Sequence, residues 1–268
     1  MDNYQQVNRE HWDELVAFHA ESEFYRLAEF KAGQSSLLPV EVEELGDVSG
    51  KSLLHLQCHF GMDTLSWARR GARVTGVDFS DKAIALARSL SQALSLPAEF
   101  ICSNVYDVPK VLSQEYDIVF TSYGVLCWLP DLMRWGEIIA RRLKPGGTFY
   151  IVEQHPFANV LDDDADKTGI RIAYSYFQTP EPSRWDDDGS YAAWDVHLHH
   201  RVTYEWQHSL GDVVNALTSA GLRIEFLHEF PFCMFRKFAC MKQGQDGWWR
   251  PQGYADMLPL LFSLKATQ

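Results

Sequence analysis

The segment Leu53–Asp78 limits the fold of this chain more than any other part of it. An apolar run, Leu53–Leu56, enters a polar loop that ends at Gly61, and an amphipathic helix and a second apolar run then lead to Asp78. Such a strand–loop–helix–strand unit, with an acid about 20 residues beyond the loop, binds adenosine-containing cofactors. The loop and the helix N-terminus offer backbone N–H groups, and the acid accepts hydrogen bonds from ribose hydroxyls. The sequence therefore predicts an α/β fold with a cofactor site at one edge of its sheet.

Strands and helices continue to alternate as far as residue 156, which predicts parallel strands joined by right-handed crossovers. Ser80 has the residue type of a helix N-cap, and Gly146 and Gly147 form a turn before a further strand. The predicted strands are Leu53–Leu56, Arg73–Val77, Glu99–Cys102, Tyr116–Thr121 and Thr148–Val152, and the predicted helices are Met62–Arg70, Asp81–Ser95 and Leu132–Leu143.

The rest of the chain predicts additions to this core. Apolar residues recur at helical spacing over residues 5–45. The alternation breaks after Pro156, and strand-like stretches around 171–177 and 192–206 indicate an antiparallel insertion. A helix (Leu210–Ala220), a strand (Leu222–Glu229) and an antiparallel edge strand (Leu258–Leu264) then complete the sheet. We expect four parts: an N-terminal helical cover (1–50), the cofactor-binding core (51–156), the insertion on the substrate side (157–208) and the remainder of the core sheet (209–268).

Composition narrows the class of protein. The formal net charge of −12 argues against a nucleic-acid partner, because phosphate neutralisation needs clustered Lys and Arg. Five cysteines without a CxxC pair fit reduced thiols in the cytoplasm. The N-terminus has no signal-peptide pattern, and no run approaches the ~18 apolar residues that span a bilayer. We expect a cytoplasmic protein without a membrane partner, either monomer or homodimer.

The order of elements resembles that of the class I S-adenosylmethionine-dependent methyltransferases. The segment Val74–Ser80 looks like the family's second strand with its ribose-binding acid, and Asn104 matches the Asp or Asn near the adenine amino group. Tyr116–Val119 and Leu143–Gly147 look like the fourth-strand motif and the turn before the fifth strand. The resemblance implies a doubly wound, seven-stranded, mostly parallel sheet with an antiparallel last strand, and S-adenosylmethionine as cofactor.

The glycine-rich loop departs from the family pattern. Where the family has an acid followed by Gly-x-Gly-x-Gly, this chain has His55 and then Gln57, His59 and Gly61 at the three glycine positions. Non-glycine residues are strained at positive φ, so the loop must avoid such angles or hold them by packing. We expect a branch of the family in which this HLQCHFG loop replaces the usual one, with Gln57 and His59 gripping the methionine carboxylate. The dinucleotide fingerprint of dehydrogenases is absent, because its glycines would fall on Gln57, His59 and Met62.

Further cofactor contacts follow from the resemblance. Asp78 is expected to bind the ribose, although it could instead cap the following helix, a role that Ser80 fills better. Phe79 is expected to lie against the adenine or in the core. The complete set of predicted cofactor-binding residues is Gln57, Cys58, His59, Gly61, Asp78, Phe79, Ser80, Asn104, Val105, Tyr106 and Thr121.

The acceptor side is less defined by the sequence. His155 is the candidate for a base, with a pKa range suited to proton transfer, or it only hydrogen-bonds the insertion. Tyr123 either orients an acceptor or packs beneath the insertion. Trp12, Tyr25 and Trp128, together with His19, are candidates to line a lid over the pocket.

Two further patterns bear on the ligands of the insertion. His197 and His199 alternate on one strand face without a third ligand, so we expect no metal. Aromatic residues of the insertion suit an enclosed pocket for a small organic acceptor, or else a self-association surface. These are Tyr174, Tyr176, Phe177, Trp185, Tyr191, Trp194, Tyr204 and Trp206.

The sequence therefore predicts a methyltransferase that moves a methyl group from S-adenosylmethionine to a small organic acceptor. A general base is needed only if the acceptor must lose a proton, so the lack of an obvious catalytic motif does not argue against activity. The alternative is a protein that binds S-adenosylmethionine or its product S-adenosylhomocysteine without transfer, as a sensor or interaction module.

Overall fold

A computed structural model describes residues 3–162, 170–192 and 196–268 of the chain. Most of the acidic run 162–166 and Trp194 lie outside these described residues. The helices are α1 (Asn3–Glu21), α2 (Leu27–Lys31), α3 (Pro39–Leu45), α4 (Met62–Arg69), α5 (Asp81–Leu94), α6 (Val108–Val111), α7 (Leu132–Arg142) and α8 (Leu210–Ser219). The strands are β1 (Ser52–Leu56), β2 (Arg73–Asp78), β3 (Ala98–Cys102), β4 (Tyr116–Thr121), β5 (Leu143–Gln154), β6 (Ser183–Asp186), β7 (Val202–Glu205), β8 (Arg223–Phe230), β9 (Met241–Gln243), β10 (Trp249–Pro251) and β11 (Leu261–Thr267).

Seven strands form one sheet in the order β3-β2-β1-β4-β5-β11-β8. Strands β1 to β5 pair in parallel, and β11 pairs antiparallel with both β5 and β8. This confirms the predicted doubly wound, seven-stranded, mostly parallel sheet with an antiparallel last strand.

The position predicted for that last strand was wrong. Instead of forming an edge, β11 lies inside the sheet between β5 and β8, and β8 is the edge strand. Its residues Leu261, Phe262, Leu264 and Ala266 are fully buried, as a strand covered on both faces requires. The apolar run at 258–264 was visible in the sequence, but an apolar run does not say which strands flank it.

Helices cover both faces of the sheet, which explains the apolar strands. On one face Leu54 and Phe149 pack with Trp135 of α7 in a single buried cluster. On the other face Leu53 and Tyr150 pack with Trp67 and with residues of α3. A sheet buried on both sides leaves its polar chemistry to the loops at the strand ends.

The predicted N-terminal cover is present as three helices, and it is tied to the insertion. The side chain of Asn8 on α1 accepts from Tyr204 N at 2.8 Å and donates to Tyr204 O at 2.7 Å. The Glu14 carboxylate accepts from the backbone N–H groups of His199 and His200 at 2.9 and 2.7 Å. These contacts hold α1 against the insertion above the sheet.

The insertion contains an antiparallel pair, in which β7 lies within the predicted stretch 192–206 but its partner β6 lies outside both predicted stretches. The stretch around 171–177 forms only one bridge, between Leu161 and Ile172, and Ile172 and Phe177 are each 70% exposed. Sequence reasoning also missed the β9–β10 hairpin, which lies outside the core sheet. In the part of the chain that the structure describes, no helix has the length and apolar content needed to cross a bilayer.

Candidate active site

A cavity opens at the carboxyl ends of β1, β2, β3 and β4, beneath α1. Its empty space is about 780 Å³ when the solvent in its open mouth is included. The lining combines backbone and side chains of the strand ends with aromatic rings from the cover. The lining residues are Gln5, Asn8, Trp12, Tyr25, Gln57, His59, Val77, Asp78, Phe79, Ser103, Asn104, Val105, Tyr106, Tyr123, Gly124, Val125, Trp128 and Leu129.

The loop after β1 holds left-handed angles at all three positions where the family has glycine. The φ angles are +57° at Gln57, +49° at His59 and +79° at Gly61. The His59 N–H donates to Asp78 Oδ2 at 2.8 Å, and the Gln57 side chain donates to Val125 O at 3.0 Å. The sequence left open whether the loop avoids positive φ angles or holds them by packing. The loop adopts them, and tertiary contacts hold the strained angles.

Asp78 lies at the end of β2 in the cavity wall. Its Oδ2 accepts from His59 N and its Oδ1 accepts from Ser80 N at 2.9 Å. The residue is 8% exposed, and burial raises the pKa of its carboxyl group to about 6. Ser80 itself caps α5, because its Oγ accepts from Ala83 N at 3.0 Å. The carboxylate of Asp78 is therefore not the helix cap and retains lone pairs that can accept ligand hydroxyls.

The next lip of the cavity follows β3. Asn104 Oδ1 accepts from Tyr106 N at 2.9 Å, and Asn104 Nδ2 donates to Gln5 Oε1 at 3.1 Å. Val105 and Phe79 lie in the same wall. Four other predicted cofactor residues do not line the cavity: Cys58, Gly61, Ser80 and Thr121.

Glu153, at the end of β5, was missed by sequence reasoning. It is 3% exposed, and burial raises the pKa of its carboxyl group. Its Oε1 accepts from Gly124 N and Gln154 N, both at 2.6 Å, and its Oε2 accepts from Val125 N at 2.7 Å and Leu126 N at 3.2 Å. The carboxylate thus shapes the loop after β4, which forms one wall of the cavity. The available signal was an acid ending an otherwise apolar strand.

Tyr123 lines the cavity, but its hydroxyl group is engaged elsewhere. It donates to Glu41 Oε2 on α3 at 2.7 Å. Glu41 is fully buried, and burial raises the pKa of its carboxyl group to about 8. The contact ties the cover to the loop after β4, and the use of Tyr123 for an acceptor stays a prediction.

His155 is not brought together with the cofactor loop. Its Nδ1 accepts from Phe157 N at 3.0 Å, so the proton resides on Nε2, which lies 2.9 Å from Glu229 Oε1. The residue is 4% exposed, and burial lowers its pKa despite the carboxylate. It lines a separate apolar groove with Tyr174, among others. The hydrogen bond from Phe157 N fits the alternative that His155 only hydrogen-bonds the insertion. The catalytic role of His155 stays a prediction.

Three parts of the chain meet at the mouth of the cavity. His59 Nε2 of the loop lies 3.1 Å from His19 Nδ1 of α1, and His19 Nε2 lies 2.9 Å from Ser190 Oγ of the insertion. The hydroxyl groups of Tyr25 and Tyr191 are 2.5 Å apart. Burial lowers the pKa of His19 to about 3 and that of His59 well below 6.5, so both rings are neutral near pH 7.

Aromatic rings complete this wall. Trp12 makes edge contacts with Trp128 at 5.4 Å and with His59 at 5.3 Å between ring centroids. The three predicted pocket residues Trp12, Tyr25 and Trp128 are thus in the cavity wall. Among the residues with described positions, no group of three His, Cys, Asp or Glu side chains is placed to hold a metal ion.

Comparison with known proteins agrees with the fold. Residues 54–151 match a family described as a methyltransferase domain. A ubiquinone biosynthesis O-methyltransferase from Chromobacterium violaceum is 27% identical over 147 residues, 55% of this chain and 59% of that protein. The protein of the same name from Photorhabdus laumondii is 31% identical over 106 residues, 40% of this chain and 44% of that protein. The chain spans about half the length of the curated relatives it matches.

Solved structures extend the likeness to the whole fold. An S-adenosylmethionine dependent methyltransferase from Mesorhizobium loti aligns with a TM-score of 0.59 at 19% identity, covering 89% of this chain and 100% of that one. A glycopeptide N-methyltransferase solved with S-adenosyl-L-homocysteine aligns with a TM-score of 0.54 at 14% identity, covering 85% and 86%. Residues 54–151 thus match a methyltransferase domain family, and the fold of the chain is that of the S-adenosylmethionine dependent methyltransferase structures that it resembles.

Two features of this chain fit that cofactor. The Asp78 carboxylate stands at the strand end where ribose hydroxyls bind in such sheets. The Gln57 Oε1 atom is buried and receives no hydrogen bond from the described residues, as expected of a group that awaits a ligand.

Proposed function

We propose that the protein is an S-adenosylmethionine-dependent methyltransferase that acts on a small organic acceptor. The observation that carries this proposal is the Asp78 carboxylate hydrogen-bonded, in the wall of one cavity, to a loop whose Gln57, His59 and Gly61 hold left-handed angles. The non-glycine residues keep the loop conformation that glycines would allow, so the substitutions do not argue for a lost site. That the HLQCHFG loop marks a separate branch of the family stays a prediction.

The polar residues at the strand ends indicate how the cofactor would lie along the sheet. Asp78 and Asn104, after β2 and β3, would hold the adenosine end. Gln57 and Val125, after β1 and β4, would hold the amino-acid end. When bound, the cofactor supplies an electrophilic methyl group on a good leaving group. The protein then has to align the acceptor and exclude water, and the rings of Trp12 and Trp128 serve both purposes.

The cavity wall supports an acceptor without negative charge. Of its described lining residues, Asp78 alone carries a formal charge at neutral pH, and none is Lys or Arg. An anionic acceptor would lose its hydration there, and no side chain of the described lining supplies a cation to replace it. The aromatic lining suits a flat or apolar molecule, in line with relatives named for ubiquinone biosynthesis.

The setting of the protein belongs to this proposal as well. The formal net charge of −12 supports a small-molecule acceptor over a nucleic acid. The absence of CxxC pairs supports a cytoplasmic location. Either a monomer or a homodimer is compatible with a site built from one chain.

Calorimetry and a transfer assay test the proposal. Wild type should bind S-adenosylmethionine and S-adenosylhomocysteine, and Asp78→Ala should weaken both by about 1–3 kcal/mol, as the loss of a buried acceptor does. Transfer of a labelled methyl group is then sought across uncharged aromatic and quinol acceptors. Folded protein that binds neither ligand would overturn the proposal. Tight binding without transfer to any acceptor would favour the sensor alternative.

A further inference from the structure

The Gln57 side chain carries a polar atom whose partner is absent from the fold. Its Nε2 donates to Val125 O at 3.0 Å. Its Oε1 is shielded from water and accepts no hydrogen bond from the residues that the structure describes. Exchanging the two amide atoms would turn the oxygen toward the Val125 carbonyl oxygen, so that carbonyl fixes the orientation of the amide. Gln57 lines the cavity, so the unsatisfied acceptor belongs to a residue of its wall, and a buried acceptor in that state is a net cost to the fold.

The backbone at Gln57 adds a second cost. Its φ of +57° lies in the left-handed region, which glycine adopts freely and glutamine does not. Glycine would relieve the strain and remove the unsatisfied oxygen at once. Strained non-glycine residues that persist in a binding site point to a use for their side chain.

The sheet order indicates which part of the cofactor lies beside this oxygen. Gln57 follows β1 and Val125 follows β4, and these two strands are neighbours. Asp78 and Asn104 follow β2 and β3, on the other side of β1. With the ribose and adenine at β2 and β3, the amino-acid end reaches the β1–β4 side. That end carries one hydrogen-bond donor, the α-ammonium group, because its carboxylate only accepts.

We propose that Gln57 Oε1 accepts a hydrogen bond from the α-ammonium group of S-adenosylmethionine and of S-adenosylhomocysteine. The proposal rests on the proposed function and assigns one atom of this chain within it. It differs from the expectation that Gln57 grips the carboxylate, because the atom of its side chain that lacks a hydrogen bond is an acceptor and the methionine carboxylate only accepts.

A ligand-by-residue cycle tests the assignment by calorimetry. The ligands are S-adenosylhomocysteine and its deamino analogue, in which hydrogen replaces the ammonium group. The variants are Gln57→Gly, which suits the left-handed backbone and so should fold, and Gln57→Glu, which keeps an acceptor oxygen. Gln57→Gly should weaken S-adenosylhomocysteine roughly tenfold to a hundredfold, as expected for a hydrogen bond to a charged group. It should change the affinity for the deamino analogue by less than about threefold.

The possible outcomes distinguish the Gln57 contact from the proposed methyltransferase function. The contact is supported if Gln57→Glu, like wild type, binds S-adenosylhomocysteine more tightly than the deamino analogue. Equal weakening of both ligands by Gln57→Gly overturns it and leaves the methyltransferase proposal standing. Failure of folded wild type to bind S-adenosylhomocysteine overturns the proposed function, and the contact with it.

Discussion

At the residue scale, the loop after β1 holds left-handed backbone angles at three positions, although only the third is occupied by glycine. Gln57 and His59 hold left-handed angles through their hydrogen bonds to Val125 and Asp78. Gly61 differs from them, because a Cβ atom there would lie 2.7 Å from the Phe100 ring. Packing thus leaves room for side chains at the first two positions and none at the third.

Gly61→Ala should therefore destabilise the protein for two reasons, strain at φ +79° and the clash with Phe100. The matched control is Gly253→Ala, where φ is also +79° and nothing lies within 4 Å of the added Cβ. We expect a loss of about 1–2 kcal/mol for the control and about 1–3 kcal/mol more for Gly61→Ala, measured by urea unfolding. Equal losses would show that the Phe100 contact yields without cost.

At the element scale, the wall formed by the loop after β4 depends on a carboxylate from β5. Four backbone N–H groups converge on Glu153, and three of them, from Gly124, Val125 and Leu126, belong to that loop, so the strand end fixes the loop's backbone. The loop in turn supplies Val125 O to Gln57 and Trp128 to the cavity.

Glu153→Gln should destabilise the protein by about 2–4 kcal/mol, because the new NH₂ group faces N–H donors that lose their acceptor. It should also weaken S-adenosylhomocysteine binding. Glu229→Gln is the control, since Glu229 on β8 is half exposed and contacts His155 away from the cavity. Urea unfolding and calorimetry give both quantities, and unchanged ligand affinity in Glu153→Gln would refute the role of this loop.

The insertion acts on the site through its contacts with α1 and with Tyr25 in the turn that follows it. Tyr191→Phe removes the hydroxyl group that pairs with Tyr25 while keeping the ring. We expect S-adenosylhomocysteine to dissociate about 2–10 times faster, as the loss of one hydrogen bond predicts for a covering segment. Ser175→Ala, which changes an exposed residue of the same insertion, should leave the rate unchanged. A stopped-flow displacement experiment measures both, and identical rates in the two variants would exclude a covering role for Tyr191.

At the scale of the whole molecule, buried acids and buried histidines give opposite pH dependences of stability. Burial lowers the pKa of His19 and His55 to about 3, so their contribution falls as pH drops below about 6.5. Burial raises the pKa of Glu41 from 4.5 to about 8, so the folded state binds its proton more tightly than the unfolded state. The free energy of unfolding therefore decreases as pH rises toward 8, and above pH 6.5 the contribution of the histidines is complete and no longer changes with pH.

Between pH 6.5 and 8.5 we expect wild type to lose about 2 kcal/mol of stability through Glu41. Glu41→Gln should remove most of that slope, because a neutral amide cannot ionise in the buried site. The exposed Glu43→Gln on the same helix is the control and should keep it. Urea unfolding at the two pH values measures this change in the free energy of unfolding. If Glu41→Gln loses as much stability as wild type between them, another group is responsible for the titration.

Local patterns in the sequence are enough to predict the architecture. Alternating strands and helices, an acid ending β2 and a polar residue after β3 are such patterns, so periodicity and strand ends predict them without knowledge of distant contacts. Trp12, Tyr25 and Trp128 line the cavity, and their contact with a substrate stays a prediction.

The tertiary structure alone decided the rest, because those features join residues far apart in the chain. The left-handed angles at Gln57 and His59 depend on contacts with Val125 and Asp78. The insertion of β11 between β5 and β8 depends on which apolar strands meet. The separation of His155 from the cavity depends on the path of the chain after β5. Each outcome reflects a competition among long-range contacts, and local sequence carries no record of which contact prevails.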